Sequence, residues 1–63
     1  MGEVEQVKAY LERARAAGVA TADLEARAVQ VINLYENAGD CLGYRMAKKA
    51  YLREMAWAGI RWL

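Results

Sequence analysis

The chain has 63 residues, a net charge of +1, one cysteine, no histidine and no proline. That length allows one small domain. A single cysteine excludes an internal disulfide, and without histidine it cannot close a structural zinc site, so no metal or other cofactor is expected. A chain this short hides only about 60% of the surface its unfolded form exposes, so helix packing or association with another chain must hold it together.

The balance of +1 conceals an asymmetry. Residues 1–39 hold six acidic and four basic side chains, for −2; residues 40–63 hold two acidic and five basic, for +3. A basic final element beside slightly acidic ones suits internal pairing, and it also suits an anionic partner. The lone unpaired cysteine points to a reducing, cytoplasmic setting. The opening Met1-Gly2-Glu3 is followed by polar residues, not the apolar core of a secretory leader. No apolar run approaches the roughly 20 residues that a transmembrane helix needs.

No stretch alternates polar and β-branched residues, so an all-α fold of three helices is expected. The first helix is read at about 3–17. Val4, Val7, Leu11 and Ala14 recur at spacings of three and four, and Tyr10 lies beside them. Glu3 and Glu5 sit at the positive end of the dipole, Arg13 and Arg15 at the negative end, and Gly18 is placed to end the helix.

The second helix is read at about 21–38, with Thr21 as N-cap and Asp23 and Glu25 in the first turn. Leu24, Ala28, Val31, Ile32 and Tyr35 share one face, and Val29 and Leu34 widen it. Gly39 supplies the stop. The seven residues Leu34 to Asp40 resemble the turn between the helices of a tetratricopeptide repeat. Tyr44, Lys48 and Tyr51 then depart from that pattern, so the family is not assigned.

The third helix is read at about 40–62, the longest element, with Asp40 as its cap; the alternative is a longer loop, 39–43, with the helix starting near Tyr44. A short link then folds the second and third helices into an antiparallel hairpin. Gly43, in the first turn, is unfavourable there and suggests close approach of a neighbouring backbone. Three stripes run along this helix. Tyr44, Ala47, Tyr51, Met55, Ala58 and Trp62 form one; Leu52, Ala56, Ile60 and Leu63 a second; Met46, Ala50 and Trp57 a third. Two neighbouring helices cannot cover three faces.

Catalytic chemistry is poorly provided for. There is no His and no Ser, Cys41 has no His beside it, and the phosphate and dinucleotide loops are missing, so the chain is not expected to be an enzyme. The leading expectation is a small helical protein-interaction module, acting as a structural subunit, adaptor or stoichiometric inhibitor. It would dock onto a protein partner or a second copy through the apolar end of the third helix. Tyr51, Met55, Trp57, Ile60, Arg61, Trp62 and Leu63 are the residues expected there, of types enriched at such contacts. The alternative is nucleic-acid binding. Arg45, Lys48, Lys49 and Arg53 span about 140° of the helix surface and could lie along phosphates.

Overall fold

The computed structural model describes residues 2–61, and they form an all-α domain. Helix α1 runs Glu3–Ala16, α2 Ala22–Ala38 and α3 Leu42–Trp57. No strand occurs among the described residues. Helices α2 and α3 pack closely as an antiparallel hairpin joined by residues 39–41. The closest backbone approaches are α2 to α3 and α1 to α2. Long side chains bridge α1 and α3.

The expected helix signals operate for α1 and α2. Thr21 is extended, and its hydroxyl accepts from the Leu24 N–H at 3.2 Å, satisfying one orphan donor of α2. Glu3 and Glu5 open α1, and Arg13 and Arg15 close it, in accord with the helix dipole.

The third helix departs from expectation at both ends. It begins at Leu42 behind Cys41, not behind Asp40. The Cys41 sulfur accepts from the Tyr44 N–H at 3.4 Å, while both Asp40 carboxylate oxygens are engaged by Arg45 at 2.8 and 2.9 Å. It ends at Trp57, short of residue 62, and its 16 residues are one fewer than the 17 of α2. Gly59 is the reason. Its φ is +87°, a conformation that costs an L side chain energy. The Ile60 N–H then donates to the Met55 carbonyl at 2.9 Å, and the Gly59 N–H to that of Ala56 at 3.0 Å. That pair of bonds is a Schellman motif.

The end of α1 has the same construction. Gly18 has φ +75°, and the Val19 N–H donates to the Ala14 carbonyl at 2.9 Å. In both places an Ala-Gly pair is followed by a β-branched apolar residue, which folds back into the core. Ile60 is buried and Val19 packs against the same cluster.

The core draws on every element. Val7 and Ala14 come from α1, Leu24, Ala28 and Val31 from α2, Tyr44, Tyr51 and Met55 from α3, and Ile60 from the returning tail. Tyr51 is fully buried, and its hydroxyl donates to the Val7 carbonyl at 2.8 Å. No buried side-chain nitrogen or oxygen among the described residues lacks a partner. Gly43 does not mark a tight approach: a Cβ there would meet only Cys41 Sγ at 3.8 Å and Leu34 Cδ2 at 3.9 Å. No helix of the described residues is long and apolar enough to cross a membrane.

Candidate interaction face

Two regions of α3 carry the residues singled out from sequence. The first is a shallow groove of about 320 Å³, lined by Glu3, Asp40, Tyr44, Arg45, Lys48, Lys49 and Leu52. Its centre is an interlock between α1 and α3. The Lys48 ammonium donates to Glu3 at 2.5 Å and to the Gln6 side-chain oxygen at 3.3 Å, and lies 5.8 Å from the centre of the Tyr44 ring. The Tyr44 hydroxyl donates to the same Glu3 carboxylate. Its ring stacks at a tilt on Tyr35, with centroids 4.8 Å apart.

The charges in this groove respond to one another. Hydrogen bonds from Lys48 and then Tyr44 hold the Glu3 carboxyl below its ordinary range. Burial, and then donation to Glu3, push the Tyr44 phenol above its ordinary value. Partial burial works against the Lys48 ammonium, but hydrogen bonds to Glu3 and Tyr44 outweigh it and the pKa is raised. Hydrogen bonds from Arg45 lower the Asp40 carboxyl in the same way. Both carboxylates of the groove are thus paired within the fold, and Lys49 at its rim is left over.

The basic arc is therefore divided. Arg45 is held by Asp40 and Lys48 by Glu3. Lys49 and Arg53 are exposed and have no hydrogen-bond or ion-pair partner among the described residues.

The second region is the back of α3, turned away from α1 and α2. Leu42, Met46 and Trp57 are among the exposed large apolar side chains, at 74%, 63% and 83% exposure. They lie on one side of the helix over about 22 Å of its length. Lys49 and Arg53 lie between them. Met46 and Trp57 belong to the third stripe read from the sequence, and its outward position agrees with the limit of two neighbours.

The expected docking residues do not share a surface. Tyr51, Met55 and Ile60 are buried in the core, so they hold the fold and leave no area for a partner. Trp57 and Arg61 are exposed, and the Arg61 carbonyl accepts from the Arg13 guanidinium. Trp62 and Leu63 lie outside the described residues. Leu42 and Met46 were absent from the expected set. Their spacing of four, continued through Ala50 and Trp57, was the available signal.

Among the described residues no group of three or more His, Cys, Asp or Glu side chains is placed to hold a metal ion. Cys41 is half-buried and acts as a helix cap. Comparison with known proteins finds no matching family model, no similar curated protein and no similar solved structure.

Proposed function

We propose that this chain is a non-catalytic helical interaction module whose docking face is the back of α3. As a structural subunit, adaptor or inhibitor, it would act by occupying a surface on another protein. One observation carries this reading: Leu42, Met46 and Trp57 present their side chains to solvent from one side of one helix. Several large apolar side chains exposed along one side of one helix favour an interaction site over the singly scattered ones that any surface carries. Val29, exposed on α2, is such a single case.

The nucleic-acid reading has weaker support. Two of its four cations are neutralised within the fold, and the remaining two are set among leucine, methionine and tryptophan side chains.

The test is a photo-crosslinking residue placed at Met46, compared with one at exposed Gln30 on α2, in cells that make the protein. Protein adducts from position 46 and none from position 30 support the docking face. Equal yields at both positions, or no protein adduct at 46, sink it; adducts to nucleic acid instead would favour the alternative.

A further inference from the structure

The back of α3 carries a charge pattern that selects among partners. Leu42, Met46, Lys49, Arg53 and Ala56 follow one another at spacings of four, three, four and three. This is the repeat of a helix–helix seam. All five are exposed, as is Trp57 beside the last of them. The ends of the seam are apolar, and its two central positions are cationic. No carboxylate occupies any of these positions.

We infer that the occupant of this face is an acidic amphipathic helix of another protein, bearing Asp or Glu opposite Lys49 and Arg53 and aliphatic side chains opposite Leu42, Met46 and Trp57. The inference rests on the docking reading above and adds the chemistry of the partner. Its basis is charge complementarity. Arg15, Arg27, Arg45 and Lys48 are each paired with a carboxylate of the chain itself. Lys8, Lys49 and Arg53 have no such partner among the described residues, and of these Lys49 and Arg53 sit where a helix docked on this face would desolvate them. Burying unpaired cations is costly, so a partner must bring its own anions.

A second copy fits poorly. Two α3 helices packed back to back, parallel or antiparallel, gather four cations and no carboxylate into one seam, and like charges across an interface oppose association. An anionic bilayer is the remaining occupant of a face with apolar and cationic side chains, and the vesicle measurement below separates it from an acidic helix.

The experiment uses the full chain and three synthetic helical peptides about three heptads long. They share leucine at the seam ends and differ at the two central seam positions, which are Glu, Gln or Lys. Affinities are read by titration calorimetry at low and high salt. The expected result is that the Glu peptide binds about tenfold or more tightly than the Gln peptide, with the advantage shrinking in salt. The double variant K49E/R53E, changed only at exposed positions, should reverse the order and prefer the Lys peptide. Equal affinity of the Glu and Gln peptides, no binding of the Glu peptide, or an unchanged order in the double variant overturns the inference. So does a dimer in sedimentation that Trp57→Ala dissociates, or binding to phosphatidylserine vesicles without binding of the Glu peptide. If Glu and Gln peptides bind alike and Trp57→Ala releases both, the acidic partner is excluded while the docking face stands. Failure of the crosslinking test at Met46 removes the face itself.

Discussion

The Tyr51 hydroxyl donates to the backbone carbonyl of Val7 at 2.8 Å, across 44 residues of sequence and out of contact with water. It is a buried polar tie between α1 and α3. The ring also meets Tyr10 edge-on, with centroids 6.5 Å apart. Tyr51→Phe keeps the ring and removes the donor, so its cost is that of one hydrogen bond, about 1 kcal/mol. Urea unfolding of the two proteins measures it. A loss above about 3 kcal/mol would mean that the ring itself had shifted.

The same residue sets an alkaline limit. Burial pushes the Tyr51 phenol up to about 12, from 10.0 in the unfolded chain. Between those values the unfolded state releases its proton and the folded state does not, so stability falls with rising pH. It is fully present below pH 10 and is lost progressively toward pH 12, on the order of 3 kcal/mol in all. Tyr44 shifts in the same direction and adds to the trend. Tyrosinate absorbance followed with circular dichroism should show part of the tyrosine titration coinciding with loss of helix. Titration of Tyr51 near pH 10 with the helix intact would contradict the burial.

The Glu3–Lys48 contact has the opposite pH edge. The Glu3 carboxyl is held below its ordinary 4.5, so the contribution of the contact is present above that pH and fades as acid protonates the carboxylate. On the basic side, the raised Lys48 pKa keeps the contact charged past 10.5. Both groups are partly solvated, so Lys48→Met should cost less than about 1 kcal/mol, and added salt should shrink the difference. Thermal melts at neutral pH and near pH 3 check it; a larger gap in acid than at neutrality would refute the assignment.

Much of this was legible from residue order. Three helices, the Thr21 cap and the Gly18 and Gly39 stops follow from local chemistry that the neighbours do not override. The stripe through Tyr44, Tyr51 and Met55 was visible as a stripe, as was the one through Met46 and Trp57. Periodicity separates faces, but it does not say which face meets a neighbour. Both were apolar, and what decides between them is a partner for the Tyr51 hydroxyl that lies on α1. The docking set therefore mixed two faces, taking Tyr51 and Met55 from the core and Trp57 from the surface. Gly59 was read as part of an apolar run. Its role follows from the Ala-Gly-Ile order that matches Ala-Gly-Val at the end of α1. Asp40 is the stronger cap by residue type, yet Arg45 engages it and Cys41 takes the position.

Two glycines should respond in opposite ways to the same change. Gly59→Ala forces a Cβ onto a residue at φ +87° and should destabilise by about 1 kcal/mol. Gly43 lies inside α3 with room for a methyl group, so Gly43→Ala should stabilise by about 0.5 kcal/mol through better helix propensity. Denaturant midpoints of the two variants against the parent give the signs directly. Destabilisation by Gly43→Ala would restore the idea of a close backbone approach at that point.

Met55 and Trp57 are two residues apart and offer the sharpest contrast along α3. Met55 is fully buried, whereas Trp57 is 83% exposed. Met55→Ala should cost about 2–5 kcal/mol, because it opens a cavity among residues from all three helices. For a chain this small, that loss approaches the whole stability. Trp57→Ala should change stability by less than about 0.5 kcal/mol, because most of the indole touches nothing in the folded chain. On the docking reading proposed above, its effect falls on partner affinity, where loss of a tryptophan anchor costs about 2 kcal/mol or more. Stability curves for both variants, set beside the peptide affinity of Trp57→Ala, separate the two roles. A Trp57→Ala protein that unfolds as easily as Met55→Ala would show that the indole is part of the core, and the outer face of α3 would then lose its principal anchor.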